Sequence, residues 1–150
     1  MAITERVEFE SDGLRDSLTG TLAPARFMEL LEQEIQVADR EKRSITIISL
    51  RLASCGHHAE RDGELLKSLA SHLMRVIRTG DHCARMAEDG FWVIARGDRG
   101  AAEIAVSRYL NELEPEQWRV EICEVLHGEK SRNLLRRMDA LHFSTEVAQR

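Results

Sequence analysis

Nine consecutive residues, Arg85-Met86-Ala87-Glu88-Asp89-Gly90-Phe91-Trp92-Val93, hold the densest chemistry in the sequence. Two apolar runs, His82 to Ala87 and Phe91 to Ala95, flank an acidic Asp-Gly pair. That is the pattern of a β-hairpin whose turn falls at Glu88 to Gly90. Carboxylates on a tight turn are a natural place to hold a metal ion, because hard cations take oxygen donors. A second group of metal-binding residue types, Cys55, His57 and His58 with His82 and Cys83 further on, lacks CxxC or HxxxH spacing. It reads as a polar loop, not a zinc site.

The elements that must position this hairpin alternate helix and strand, with no internal repeat or low-complexity tract. Phe27, Leu30, Leu31, Ile35 and Ala38 recur at helical spacing behind Pro24, which suits a first-turn position. Ser44 to Leu52 is β-rich, with Ile45, Ile47 and Ser49 on one side and Thr46, Ile48, Leu50 and Leu52 on the other. The spacing predicts a strand buried on both faces. Leu65, Leu66, Leu69, Leu73, Val76 and Ile77 make a second helical face, expected to stop at Thr79-Gly80. After the hairpin, Ile104, Tyr109, Leu110 and Leu113 mark a helix, Trp118 to Leu126 a strand and Ser131 to Phe143 a last helix. The order contains the βαββαβ plan of a ferredoxin-like core, an α/β (α+β) fold with a mixed or antiparallel central sheet flanked by helices.

Composition bounds the answer without producing it. A chain of 150 residues, 43% hydrophobic and 31% charged, suits one domain with a real core and is too short for two. A net charge of −5 argues against broad nucleic-acid binding, which needs a basic face to displace counterions from phosphates. Met1 to Gly13 is acidic and polar and no run approaches membrane-spanning length, so neither secretion nor a membrane is expected. The expected location is the cytoplasm, which suits three scattered cysteines, Cys55, Cys83 and Cys123.

The hairpin resembles the signature RxGGDEFxV of diguanylate cyclase (GGDEF) domains, with Arg85, Asp89, Phe91 and Val93 in their places. Its two glycines have become Ala87 and Glu88, and its metal-binding acid has become Gly90, so the motif is degenerate. Other stretches agree in order and spacing. Asp16-Ser17-Leu18-Thr19-Gly20 followed by Phe27 is similar to the family's opening DxLTGLxNRRxF, although Ala23 and Pro24 stand where Asn and Arg are usual. Gly63 to Ala70 running into Arg78-Thr79-Gly80-Asp81-His82-Cys83-Ala84-Arg85 resembles the helix leading to RxxDxxxR. Leu134-Leu135-Arg136-Arg137-Met138-Asp139-Ala140-Leu141-His142-Phe143 is similar to LLxxADxALY. The resemblance assigns residues 14–150 to one GGDEF-like domain, with the fold of nucleotide cyclase domains, and residues 1–13 to an N-terminal leader.

In an intact member of that family, each of two protomers holds one GTP, and each 3′-hydroxyl attacks the other's α-phosphate to give cyclic di-GMP. Mg²⁺ neutralises the charge and is held by carboxylates at the end of the first strand and at the fourth letter of GGDEF. The resemblance puts these positions on Ser49, Arg51 and Gly90. A hydroxyl, a guanidinium and a bare backbone replace the anionic ligands, so Mg²⁺ and GTP binding are expected to be lost. No catalytic residue, cofactor or metal site is then expected. Ala87 and Glu88 add to the loss, since glycines there let phosphate approach the backbone. The loop after the first strand is also short. Only Leu52-Ala53-Ser54-Cys55 precede Gly56-His57, the family's guanine-reading Asn is missing, and its GD stands inverted as Asp62-Gly63.

Arg78 and Asp81 fall where relatives carry RxxD, the inhibitory site for cyclic di-GMP. An Arg fork can pair with guanine O6 and N7, and a carboxylate can accept from the N1 and N2 edge. The competing reading puts Arg78 in the last helical turn against the helix dipole and Asp81 on turn amides. The family's site recruits a further Arg from a partner surface, for which Arg75 and Arg61 are candidates. Trp92 and Trp118 read as packing against helices, and Lys130, Arg132, Arg136 and Arg137 as a solvated basic face. The expected function is a catalytically inactive module acting by contact with an unidentified signalling protein in bacterial cyclic di-GMP-related regulation. The alternatives are a cyclic di-GMP receptor through Arg78 and Asp81, and a residual cyclase in which Glu88 and Asp89 bend in as metal ligands. A two-fold homodimer is the default assembly.

Overall fold

The computed structural model describes residues 7–54 and 58–148, with backbone alone over 142–148. Pro24 opens α1 (Pro24–Glu41), whose stripe of Phe27, Leu31, Ile35 and Ala38 is buried. The helix ends in a Schellman motif. Arg43 N–H reaches Ala38 O at 2.8 Å, Lys42 N–H reaches Asp39 O at 3.4 Å, and Lys42 is left-handed at φ 56°. A side chain with a Cβ adopts that conformation at a cost that glycine avoids. Lys42→Gly is therefore expected to stabilise the chain by about 0.5–1 kcal/mol, net of the freedom glycine adds to the unfolded chain, read as a raised urea midpoint.

β1 (Ile45–Leu52), β2 (His82–Ala87), β3 (Gly90–Arg96) and β4 (Trp118–Glu124) form one sheet in the order β2-β3-β1-β4, antiparallel at every pairing. With α2 (Ala59–Val76) between β1 and β2 and α3 (Arg99–Tyr109) between β3 and β4, the βαββαβ plan is complete. α1 precedes it and α4 (Ser131–Ala148) follows. The sheet divides two cores. Ile48, Leu50 and Leu52 pack with Leu66, Leu69 and Leu73 of α2 and Tyr109 of α3. Ile45 and Ile47 pack with Phe27 and Leu31 of α1 and Leu134 and Met138 of α4. β1 is apolar on both sides because it is a central strand covered twice.

Several boundaries differ from the sequence reading. α2 stops at Val76, since Ile77 is already extended at φ −68°, ψ 149°. Thr79 and Gly80 form a separate turn with Gly80 at φ 94°, so Arg78 lies outside the helix and Arg75 is the basic residue of its last turn. α3 buries Ala102, Ala105 and Tyr109, while Ile104 is 67% exposed. Two alanines let that helix lie close to the sheet, and the larger aliphatic points away. The hairpin turn is Glu88-Asp89, and Gly90 opens β3. β4 ends at Glu124, and α4 continues beyond Phe143.

Arg132 and Arg136 are exposed on α4, but Arg137 does not belong to a solvated face. Its Nε and Nη2 donate to the two Glu129 oxygens at 2.7 Å each, and Nη2 also reaches Glu124 O at 2.7 Å. Hydrogen bonding to Arg137 holds the Glu129 carboxyl below its usual range. The stability this contributes is present above the ordinary carboxylate value of about 4.3 and is lost as pH falls through the lower folded value. Glu129→Gln is expected to flatten the acid limb of stability against pH, measured by urea unfolding. Among the described residues, no helix is long and apolar enough to cross a membrane.

Candidate functional site

The frame of the hairpin is a buried ion pair. Arg85 is 0% exposed, and its Nη1 donates to both Asp16 oxygens at 3.2 and 3.3 Å. Asp16 also accepts from Thr19 N at 2.9 Å and Thr19 Oγ1 at 2.7 Å. Arg85 Nη2 holds the turn through Glu88 O at 2.9 Å, and the Phe9 ring covers the guanidinium at 5.0 Å. Leu22 runs beside β2, donating to Cys83 O and accepting from Arg85 N at 3.1 Å each. Val7 is buried in the α2–α3 core, so the described part of the leader packs onto the domain. Asp16, Thr19 and Arg85, which carry the sequence resemblance, thus build scaffold. Phe91 is likewise fully buried in the core.

The register places Arg51 opposite Gly90 and Ser49 opposite Trp92. Arg51 Nη2 lies 2.6 Å from Asp89 Oδ2, with both side chains largely shielded from solvent. Ser49 is 1% exposed, and its hydroxyl has no hydrogen-bond partner among the described residues. A Cβ on Gly90 would lie 2.5 Å from Leu50 O and 2.8 Å from Arg51 Cγ, so the strands approach more closely than a side chain permits. Ala87 pairs with Gly90 across the turn, and a bulge falls between Arg85 and Ala87. A hard divalent cation needs several oxygen donors. The hydroxyl, the guanidinium and the bare backbone at Ser49, Arg51 and Gly90 do not fit one, and the nearby Asp89 carboxylate is engaged by Arg51.

A second constellation forms around the turn after α2. Asp81 N–H donates to Arg78 O at 3.0 Å, and the Asp81 carboxylate accepts from backbone on both sides, from Arg96 N at 3.2 Å and from the Arg78 amide of its own turn. Burial pushes the Asp81 carboxyl up. Arg78 is exposed. The Arg96 guanidinium lies against Gly80, where a Cβ would meet it at 2.9 Å, and pairs with Glu34 at 3.3 Å. From α3, Arg108 Nε donates to Val76 O at 3.0 Å and the guanidinium lies 5.6 Å from the Tyr109 ring centre. Arg108 Nη2 and the Tyr109 hydroxyl are buried with no partner among the described residues. Desolvation, helped by the Asp81 charge, pushes that hydroxyl up to about 12. Arg108 and Tyr109 were missed in the sequence because no spacing ties them to Arg78. Arg75 is exposed near the turn, whereas Arg61 is in the first turn of α2, at its opposite end.

The scattered metal-binding types do not assemble among the described residues, which contain no group of three or more His, Cys, Asp or Glu suited to a metal. Cys55, Gly56 and His57 lie outside the described residues. Cys83 is buried, and desolvation pushes its thiol up to about 12. Trp92 meets Phe27 edge-on at 6.2 Å and Trp118 is buried, so both indoles serve packing.

No protein-family model and no curated protein matches the sequence. Solved structures do match. The GGDEF domain of DgcB from Caulobacter crescentus, solved in complex with c-di-GMP, gives a TM-score of 0.77 at 17% identity, covering 95% of this chain and 95% of that one. A microbial GGDEF domain described for a novel interaction mode with cyclic di-GMP gives 0.76 at 20% identity, covering 90% and 91%. The diguanylate cyclase SiaD from Pseudomonas aeruginosa, solved with its activator SiaC, gives 0.73 at 19% identity, covering 89% of this chain and 58% of that one. With four antiparallel strands between two pairs of helices among the described residues, the chain has the fold of GGDEF domains.

Proposed function

We propose that the chain is a GGDEF-fold signalling module that does not make cyclic di-GMP and acts by contact with another protein. The observation that carries this is the Arg51–Asp89 ion pair at 2.6 Å beside Gly90. A guanidinium stands where the resemblance asks for a metal-binding carboxylate, and it engages an acid kept from the signature. Asp89 is then not free to bend in as a substitute ligand. Phosphoryl transfer of this kind depends on positioning and on neutralising charge with a divalent ion, and both need the missing oxygens. The frame built by Asp16 and Arg85 is kept while the chemistry it would position is exchanged, which favours a surface over a reaction. SiaD, a structural relative, is solved with a protein activator. Incubation with GTP and Mg²⁺ followed by chromatography tests the reading. GTP is expected to remain unchanged, and a cyclic di-GMP peak that Asp89→Ala removes would overturn it.

A second reading, a cyclic di-GMP receptor, is favoured by Arg108 Nη2 and the Tyr109 hydroxyl, buried donors without partners near Arg78 and Asp81. The DgcB domain is solved with this ligand. Titration calorimetry should then show heat that Arg78→Ala abolishes and that Arg108→Ala weakens by about tenfold or more, the worth of one charged hydrogen bond. No heat at high micromolar ligand leaves protein contact as the surviving reading.

A further inference from the structure

The two edges of the sheet are treated differently. The β2 edge is covered by Leu22, which bridges to Ala84 in parallel. On β4, odd-numbered positions turn their backbone groups towards β1, as Val125 N–H to Ile45 O at 3.0 Å and Ala53 N–H to Gln117 O at 2.8 Å show. Trp118, Val120, Ile122 and Glu124 therefore turn theirs outward. Such an edge is a template for another strand. Two of its outward carbonyls are covered by side chains from the flanking helices: Arg99 Nη1 donates to Ile122 O at 2.9 Å, and Arg137 Nη2 donates to Glu124 O at 2.7 Å.

We propose that the outer edge of β4 is a surface for antiparallel pairing with β4 of a second copy of this chain, held shut by Arg99 within the paired stretch and by Arg137 at the end of the strand just beyond it. Both arginines can leave the edge with their charge still paired. Arg99 Nε lies 3.4 Å from Glu103 Oε1, and Arg137 holds Glu129 through two hydrogen bonds of 2.7 Å. Releasing the carbonyls thus strands no guanidinium, which makes the cover a latch and not a fixed wall.

The sequence of β4 is complementary to itself about Val120. A two-fold axis there places Arg119 opposite Glu121 of the second copy, twice, on one face of the sheet. On the other face Trp118 meets Ile122 of the second copy. Such an interface is isologous and closes as a dimer. Two observations favour this register. Arg119 stands directly opposite Arg51, which Asp89 already pairs, while Arg119 itself donates to a backbone carbonyl, Ala53 O at 3.1 Å, so an incoming carboxylate would be its first charged partner among the described residues. Glu121 Oε2 is buried without a hydrogen-bond partner among the described residues. The inference stands independently of whether cyclase activity is lost.

Sedimentation equilibrium of the full chain tests it. Arg99→Ala/Arg137→Ala is expected to self-associate about tenfold or more tightly than the unsubstituted chain. Adding Val120→Pro, which removes an outward N–H and leaves the ladder to β1 intact, is expected to abolish the gain. In the double-alanine background Arg119→Glu should weaken association, and adding Glu121→Arg should restore it. Unchanged association of the double variant, or a gain that survives Val120→Pro, overturns the proposal. Should the double variant fail to fold, Arg99→Ala alone keeps the Arg137–Glu129 pair. It is expected to shift association in the same direction by a smaller factor, and no shift counts against the latch.

Discussion

Arg85→Met is expected to lower the unfolding free energy by about 3–5 kcal/mol, a large share of the 5–15 kcal/mol that holds a domain of this size together. Removing one partner of a buried pair leaves the other charged and short of donors. Asp16 is 2% exposed and, among the described residues, would keep only the Thr19 amide and hydroxyl. Glu88 O would also lose its donor, so the turn that carries Asp89 would loosen. Asp16→Asn should cost less, because Arg85 retains Glu88 O and the Phe9 ring. The two substitutions together should cost less than their sum, since both break one contact. Urea unfolding followed by circular dichroism measures all three. A loss below about 1 kcal/mol for Arg85→Met would mean that the pair is not what holds the hairpin.

That same pair explains why the fold is legible in a sequence only 17% identical to the DgcB domain. Asp16, Thr19, Arg85 and Phe91 stand out by resemblance to the GGDEF motifs, and each is a group the fold needs: a carboxylate under a strap, the hydroxyl that completes its shell, a guanidinium that ties strap to turn, and a ring in the core. The double-sided apolar pattern of Ile45 to Leu52 likewise announced a central strand. What escaped reading depends on contacts across elements. Arg51 meets Asp89 only because β1 and β3 pair in one register, and a shift of one residue would turn it to the other face. Arg108 joins the Arg78 turn only because α3 packs beside the end of α2. The hydrogen bond from Arg137 to Glu124 O requires α4 to fold back over β4. The burial of Ala102 and Ala105 in place of Ile104 reverses a hydropathy argument for a geometric reason: close approach favours small side chains.

On the proposed reading, placing carboxylates at Ser49, Arg51 and Gly90 is expected not to produce cyclase activity. Gly90→Ala isolates the reason. Its Cβ would sit 2.5 Å from Leu50 O, and that oxygen belongs to a central strand paired on both sides, so it cannot give way cheaply. Overpacking against fixed backbone costs about 1–3 kcal/mol, and Gly90→Glu adds a second acid beside Asp89 to that strain. Ser49→Asp places a carboxylate in a site 1% exposed, opposite Glu121, where a like charge already stands. Arg51→Asp then removes the cation that balances Asp89. The triple substitution is expected to be destabilised by more than Gly90→Ala and to produce no cyclic di-GMP from GTP and Mg²⁺ when assayed by chromatography. If Gly90→Ala instead costs less than about 0.5 kcal/mol in urea unfolding, β3 can move away from β1. Side chains at positions 49, 51 and 90 would then be exchangeable without strain, and the hairpin would not be closed onto its neighbouring strand.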